Sequence, residues 1–174
     1  MTDSDLTRAS AMLARTMAQV NWDNGDTAAA VKFWSIAAEA GDSDSMLDIA
    51  AFAEMRGAFL EAVIWYGKAA ETGDPYGTFR LAMVLLALGE ETSSNEWLGK
   101  AADLGHRDAM YNMGNRAVSA GDMELALSWY TRAAEAGDRD AMRKTAGLHL
   151  KRAHLSRALT WYRKSRLPSN VPHV

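Results

Sequence analysis

The chain repeats itself every 32 residues, and a fixed period of that length decides what kind of fold is open to it. An aromatic column defines the period at Phe33, Trp65, Trp97, Trp129 and Trp161. In the first four copies an alanine pair follows this position, and a glycine stands eight residues after it. A second, offset series consists of Gly25, Gly57, Gly89 and Gly121, with Ala153 in the last copy. Several columns with one period indicate an array of stacked repeats.

The two glycine series divide each repeat into two segments with the start and stop signals of α-helices. Alanine is abundant and the chain has three prolines, a composition that favours helix. A glycine just after a helix suits the left-handed conformation that satisfies the last carbonyls. Asp42, Asp74 and Asp138 follow such glycines as N-caps, and Pro75 fits a first helical position. The sequence therefore predicts five pairs, each an A helix and a B helix, from about residue 9 to residue 167.

The aromatic column is expected to fill the interior of the stack. Small residues let helices approach closely, so the alanine pair leaves room for one ring per repeat. We therefore expect the rings from Phe33 to Trp161 to be wedged between helices. The alternative uses, a stacking platform for nucleic acid or a cation cage, need exposed rings. Trp161 is expected to be the most exposed member, because no sixth repeat follows it in the sequence.

Charge is distributed unevenly along a chain whose net charge is only −3. Residues 1–137 hold 10 Lys and Arg against 20 Asp and Glu, whereas residues 138–174 hold nine against two. Such a dipolar solenoid could associate head to tail, or present its basic end to an acidic partner. The alternative interpretation of the basic end is a solvated surface without a partner.

Composition also excludes several kinds of chemistry and predicts a location. The absence of cysteine excludes disulfides, thiolate metal sites and cysteine nucleophiles, and favours an intracellular protein. The acidic N-terminus lacks the apolar core of a signal peptide. The longest apolar run, residues 81–88, is too short to cross a bilayer. We therefore expect a cytoplasmic protein with no membrane segment.

The segment Trp-Tyr-x-x-Ala-Ala-Glu-x-Gly-Asp, found at 129–138 and at 65–74, resembles the Sel-one-like repeat family. That family consists of α/α solenoids related to tetratricopeptide repeats. Its A-helix pattern, Ala-x-x-x-Leu-Gly, is similar to residues 109–114. The chain departs from the family pattern in the turn from A helix to B helix, which is shorter here. The resemblance covers almost the whole chain.

The resemblance implies an all-α fold, a right-handed α/α solenoid of about five 32-residue helix-turn-helix repeats. We expect a single repeat domain over residues 1–167 and a flexible tail over 168–174. Both families act as adaptors or scaffolds for protein or peptide partners and are not enzymes. In tetratricopeptide solenoids the A helices line the concave face. If the same positions of the A helices face the concave side here, the partner-binding surface consists of Leu47, Tyr76, Phe79, Met83, Tyr111, Asn115 and Arg143.

No metal, cofactor or catalytic residue is predicted. The four histidines form no His-x-x-x-His pair; His106 stands at a helix start and His149 at a packing position. No aromatic pattern interleaves with the basic residues, so nucleic acid is not an expected partner. Two alternatives to a peptide-binding adaptor remain. One is a solenoid that self-associates weakly through its ends, and the other, ranked below it, is a small-ligand or enzymatic pocket in the concavity.

Overall fold

The computed structural model describes residues 2–167, which form ten α-helices and no β-strand. The helices are α1 (Asp3–Asp23), α2 (Thr27–Glu39), α3 (Ser43–Met55), α4 (Phe59–Glu71), α5 (Pro75–Ala87), α6 (Glu91–Asp103), α7 (Arg107–Ser119), α8 (Met123–Glu135), α9 (Arg139–Lys151) and α10 (Leu155–Arg166). Odd-numbered helices are the A helices of the five pairs, and even-numbered helices are the B helices. The predicted all-α repeat fold is confirmed.

The turn between α4 and α5 shows how the sequence separates two helices. Gly73 has φ of +85° and its N–H donates to the Ala70 carbonyl at 3.0 Å, which closes α4. Asp74 accepts from the Gly77 N–H at 2.5 Å and caps α5, and Pro75 is its first residue. The predicted caps Asp42 and Asp138, and the helix-start role of His106, are likewise confirmed by side-chain acceptors at the starts of α3, α9 and α7.

In the first four repeats the interior residue of the B helix lies one position later than predicted. Relative exposure shows that the inner column is Trp34, Tyr66, Leu98 and Tyr130, each 4% exposed or less. The residues predicted to be wedged inside, Phe33, Trp65, Trp97, Trp129 and Trp161, are only half-buried. Successive helical residues point about 100° apart, so one position of each pair faces the core directly, whereas Phe33 and Trp65 pack against the edge of it. The prediction for the first column was therefore wrong in phase.

A cation three residues later covers each half-buried tryptophan of that column. The distances from the cation to the ring centroid are 3.9 Å for Lys68 on Trp65, 3.8 Å for Lys100 on Trp97, 4.3 Å for Arg132 on Trp129 and 4.6 Å for Lys164 on Trp161. Residues at i and i+3 are neighbours on a helix surface, so both partners come from one B helix. Contacts of this kind contribute about 0.5–1 kcal/mol at exposed sites.

The inner ring Tyr130 requires a glycine on the A helix of its own pair. A Cβ atom at Gly114 would lie 2.6 Å from the Tyr130 ring, closer than van der Waals contact allows. The A-helix glycine that carries the family resemblance therefore has a packing role in this pair. The Tyr130 hydroxyl donates to Asn115 Oδ1 at 2.7 Å, which satisfies the polar end of the buried ring.

The chain divides into two compact units, one up to Ser94 and one from Asn95 onward. The first contains 6 Lys and Arg against 14 Asp and Glu, a net charge of −8, and the second contains 13 against 8, a net charge of +5. The single domain over residues 1–167 stays a prediction, and the predicted tail, 168–174, lies outside the described residues.

The first and last helices differ from their predicted forms. α1 begins at Asp3, earlier than residue 9, and its cap is Thr2, whose Oγ1 accepts from the Asp5 N–H at 3.2 Å. With 21 residues it is eight longer than the A helices after it. In α10, Tyr162 is 46% exposed while Trp161 is half-buried, so the exposed ring is the neighbour of the predicted one.

Candidate functional site

A groove of about 490 Å³ lies where α3, α4 and α5 meet; we call it the α3–α5 groove. Its lining residues are Ala51, Glu54, Met55, Phe59, Tyr66, Tyr76 and Arg80. The short turn around Gly57 brings the last residue of α3, Met55, close to the first residue of α4, Phe59. Both side chains are exposed, as is Tyr76 on α5. The groove therefore presents apolar and aromatic surface to solvent, which is typical of a binding site.

The polar side of the groove is a network of three side chains. The Tyr66 hydroxyl donates to Glu54 Oε2 at 3.1 Å, and the Arg80 guanidinium forms an ion pair with the same carboxylate. Arg80 also lies over the Tyr66 ring, with its Cζ 5.7 Å from the centroid. These contacts join an inner ring of one pair to the A helix of the next pair and fix the orientation of both.

Burial controls the protonation of this network. It raises the pKa of Tyr66 to about 12, although the Arg80 cation acts in the opposite direction. The tyrosine is therefore a neutral hydrogen-bond donor across the physiological range. The Arg80 Nε atom is buried without a hydrogen-bond partner. Arg80 thus depends on Glu54 for its charge-assisted contact.

A second, smaller cavity of about 220 Å³ adjoins the groove. Its lining residues are Gln19, Trp22, Trp34, Asp48, Ala51, Phe52 and Met55, so the two cavities share Ala51 and Met55. The Trp22 ring lies 5.2 Å from Trp34 and meets Phe52 edge-on at 5.8 Å, measured between centroids. Burial raises the pKa of Asp48 above its ordinary value. Together the two cavities form a continuous aromatic surface with acidic groups beside it.

A third cavity, of about 440 Å³, lies between α9 and α10; we call it the α9–α10 groove. Its lining residues are Arg143, Ala146, Gly147, Leu150, Leu155, Ala158, Leu159 and Tyr162. Leu150, Leu155 and Leu159 are all more than half exposed. This groove is more apolar than the first, and Arg143 at its edge forms an ion pair with Asp140.

The seven residues predicted as one partner-binding surface have different environments. Tyr76 lines the α3–α5 groove and Arg143 the α9–α10 groove. Leu47, Phe79 and Met83 are half-buried, and Leu47 packs against the core around Trp34. Tyr111 and Asn115 both contact Tyr130: the two tyrosine rings lie 5.6 Å apart, and Asn115 accepts the hydroxyl hydrogen bond. Within the unit up to Ser94, Tyr76 is thus the predicted residue that the groove contains.

Sequence reasoning missed Met55, Phe59, Tyr66 and Arg80. Met55 and Phe59 flank the short turn at Gly57, and large apolar residues on both sides of a tight turn are a signal that could have identified them. Tyr66 was missed because the inner position was assigned to its neighbour Trp65. Arg80 had no sequence signal, because its role depends on contact with Tyr66 and Glu54, which lie 14 and 26 residues earlier.

Comparison with known proteins identifies the repeat. A family model described as Sel1 repeat matches residues 24–42, 59–74, 76–106 and 107–138. No curated protein sequence matches the chain significantly. Among solved structures, a Sel1 repeat protein from Oxalobacter formigenes is 23% identical, with 95% of this chain and 75% of that chain covered and a TM-score of 0.71.

Two further structures share the fold. The protective antigen c5321 of uropathogenic Escherichia coli, which displays an SLR fold, is 21% identical over 89% of this chain, with a TM-score of 0.69. This chain spans 38% of the length of c5321. YrrB, described as a TPR protein with an unusual peptide-binding site, is 19% identical, with 89% of this chain and 84% of that chain covered and a TM-score of 0.54.

The described helices were also compared with the requirements of a bilayer and of a metal ion. Across residues 2–167, every helix is too short or too polar to cross a membrane. Over the same residues, no three His, Asp or Glu side chains are grouped so that they could hold a metal ion.

Proposed function

Because the chain belongs to the Sel1 repeat family, whose fold commonly mediates protein–protein interaction, we propose that it is a non-enzymatic cytoplasmic adaptor that binds a peptide segment of a partner protein. Scaffolds built from such repeats are generally not enzymes. The α3–α5 groove is the proposed site, together with the smaller cavity that shares Met55 with it. The peptide-binding site ascribed to YrrB supports such a use of a related fold.

One observation carries the proposal: exposed Met55, Phe59 and Tyr76 surround a cavity whose polar side chains already contact one another. Aromatic side chains and methionine in a concave site are the usual anchors for a peptide. Since Glu54, Tyr66 and Arg80 bond to one another, a ligand gains mainly by burying apolar surface. The expected ligand therefore has at least one large apolar side chain that enters the cavity.

The negative charge around the groove favours basic residues next to the apolar anchor of the ligand. The unit up to Ser94 has a net charge of −8, and Asp48 lines the adjoining cavity. A negative field raises the association rate of cationic ligands and disfavours anionic ones. We therefore propose an apolar or aromatic anchor flanked by Lys or Arg.

Selection from a random peptide library tests both features. Peptides retained by the protein should be enriched in aromatic or large aliphatic residues next to basic ones, and their affinity should fall with added salt. Tyr76→Ala and Phe59→Ala should each weaken the selected peptides at least about tenfold, as expected for central anchors.

Tyr162→Ala is the matched control, because Tyr162 is a tyrosine of similar exposure outside this groove. It should leave the affinity unchanged, and all three variants should keep the helical circular dichroism. Selected peptides that bind Tyr76→Ala and Phe59→Ala as tightly as the unaltered chain would contradict the assignment of the groove.

A further inference from the structure

We propose that the α9–α10 groove binds α1 of a second copy of this chain, so that copies associate head to tail. This contact is separate from the proposed peptide site, since it uses neither the α3–α5 groove nor its neighbour. It assigns one occupant to two apolar surfaces, on the first helix and on the last helix pair of the chain, that the described residues leave exposed.

The receiving surface is the face on which a further A helix would pack. The lining residues Gly147, Leu150, Leu155 and Tyr162 stand three repeats after Ala51, Glu54, Phe59 and Tyr66. In the earlier repeat α5 covers the ring of Tyr66, which is 1% exposed. In the later position no helix of the described residues follows α10, and Tyr162 is 46% exposed. In register, the α9–α10 groove therefore lies where a following A helix would cover Tyr162 and line one side.

The entering surface is a stripe on α1. Leu6, Leu13, Met17 and Val20 follow one side of the helix and are all exposed, opposite Ala11, Ala14 and Ala18, which are buried against α2. The stripe is apolar over more than three helical turns, and it has no cover within the described residues.

The register of the repeat relates this stripe to an interface that the chain already makes. Leu13, Met17 and Val20 stand two repeats before Gly77, Leu81 and Val84. All three of those α5 residues are buried. Gly77 faces the preceding pair, because a Cβ there would lie 2.8 Å from the Cβ of Ala69 and 3.1 Å from Leu47. α1 thus presents, uncovered, the face by which α5 packs on the pair before it.

The side chain of Leu13 makes the proposed contact of α1 wider than the contact of α5 with the pair before it. Leu13 occupies the position of Gly77, so α1 cannot approach a preceding pair as closely as α5 does. The cavity of about 440 Å³ between α9 and α10 leaves room for a larger side chain at a wider separation. The contact is therefore an approximate continuation of the repeat, and we expect it to be weaker than the contacts within the chain.

Charge favours α1 of a second copy as the occupant over α10 of a second copy. α10 carries Arg157, Arg163, Lys164 and Arg166 with no acidic residue, within a unit of net charge +5. The unit that begins with α1 has a net charge of −8. Pairing two α10 ends would bring like charges together, whereas pairing α10 with α1 brings opposite ones together. A contact between two different surfaces does not close on itself, so the mass should grow with concentration unless a ring forms.

Two lysine substitutions test the proposal by complementation in sedimentation or light scattering. Leu13→Lys blocks the entering surface and Leu159→Lys blocks the receiving groove, and both alter exposed positions with a good helix former. The unaltered chain should show an average mass that rises with concentration and falls with salt. Each variant alone should remain a monomer. An equimolar mixture should form a dimer and nothing larger, because each variant supplies the surface that the other lacks.

The control is Ile64→Lys, the same change of charge at an exposed position of α4, which should associate like the unaltered chain. If a variant loses its helical circular dichroism, Met17→Lys and Leu155→Lys repeat the design at the same two surfaces. Ending the chain after Leu167 should leave the association unchanged. A monomeric unaltered chain, a mixture that fails to dimerise, self-association of Leu13→Lys, or association only after truncation at Leu167 would each overturn the proposal; the last would assign the groove to residues 168–174.

Discussion

The α3–α5 groove and the α9–α10 groove use the same positions of the repeat, yet they differ in chemistry. The equivalent pairs are Ala51 and Gly147, Glu54 and Leu150, Phe59 and Leu155, and Tyr66 and Tyr162. In the first set α5 covers Tyr66, and its Arg80 pairs with Glu54. No described helix covers the second set, where the position of Glu54 is taken by Leu150.

An inner residue of this array takes its environment from the following A helix. Glu54 is tolerated beside a buried ring because a cation arrives from α5, which satisfies the carboxylate. Tyr66 is likewise buried because α5 covers the side of its ring that α3 and α4 leave open. In repeat proteins most contacts join nearest neighbours, so one sequence position can be core in one copy and surface in another.

The largest effect that separates the two grooves should come from the inner ring itself. Tyr66→Ala should lower the free energy of unfolding by about 3–5 kcal/mol, because it empties a buried site. Tyr162→Ala should lower it by no more than about 1 kcal/mol, because much of that ring is already in water. Urea denaturation followed by circular dichroism measures both. Equal losses would show that α5 does not create the difference in burial.

Replacing a residue of the α3–α5 groove by its equivalent in the α9–α10 groove should lower the free energy of unfolding by less than Tyr66→Ala does. Glu54→Leu introduces the residue found at Leu150 and leaves the Arg80 guanidinium without its carboxylate, for an expected loss of about 1.5–3 kcal/mol. Adding Arg80→Met should restore most of that loss, since replacing both partners removes the uncompensated charge.

The control for the ion pair is Glu61→Leu, which breaks the exposed contact of Glu61 with Arg56 at 3.0 Å. Its expected cost is under about 1 kcal/mol. A Glu54→Leu loss as small as the Glu61→Leu loss would mean that the Glu54–Arg80 pair does not hold α5 in place.

Mild acid should affect only the half of the chain that contains the α9–α10 groove. All four histidines follow Asn95 in the sequence, and His149 on α9 is buried, with its ring 5.9 Å from that of His154. Burial lowers the pKa of His149, and the cations Arg157 and Arg152, with His154, act in the same direction. The folded state therefore binds this proton less readily than the unfolded chain does. The stability that neutral His149 allows is complete above its ordinary value, about 6.5, and is lost as the pH falls below it.

Hydrogen exchange measured between about pH 7.5 and pH 6 resolves the two halves. Protection should fall in the unit from Asn95, after correction for the intrinsic exchange rate, and should hold in the unit up to Ser94. His149→Leu, which copies Leu85 two repeats earlier, should remove most of the pH dependence. An equal loss of protection in both units would contradict this origin.

The smallest expected effect concerns the turn before each B helix. Ala153 has φ of +59° at the position where the other copies carry a glycine with positive φ. The left-handed conformation costs an alanine about 1–2 kcal/mol, and the greater freedom of unfolded glycine offsets part of this. Ala153→Gly should therefore stabilise the fold by about 0.5–1 kcal/mol. The reverse change in the other groove's turn, Gly57→Ala, should destabilise by a similar amount, since no neighbouring atom obstructs a Cβ there. Melting temperatures of the two variants should move in opposite directions.

The sequence predicts the turns of this fold better than it predicts its surfaces. Gly73, Asp74 and Pro75 act through local backbone rules, so their roles as helix stop, cap and first residue follow from identity and spacing alone. The 32-residue period gives the number and order of the helices for the same reason. It cannot distinguish Trp65 from Tyr66, because adjacent columns repeat with one period and only packing decides which of them faces inward.

The candidate site was harder to predict because its parts come from two pairs. Tyr76 was predicted from its place on an A helix, and it does line the groove. Tyr111 holds the equivalent place to Phe79 in the next repeat, yet it packs against Tyr130, a contact that depends on the absence of a side chain at Gly114. Arg80 became identifiable only when the carboxylate of Glu54 was seen beside it.

The cation that covers each half-buried tryptophan has an evolutionary consequence. Trp97 and Lys100 belong to one helix, so a duplicated or deleted 32-residue block carries this protection with it. The ring at Tyr66 has no such independence, because its partner is encoded in the next block. Adding or removing whole 32-residue blocks therefore preserves the cation–tryptophan contacts within each block. It is constrained at each junction between blocks, because the A helix that becomes the new neighbour must fit the inner ring of the preceding pair.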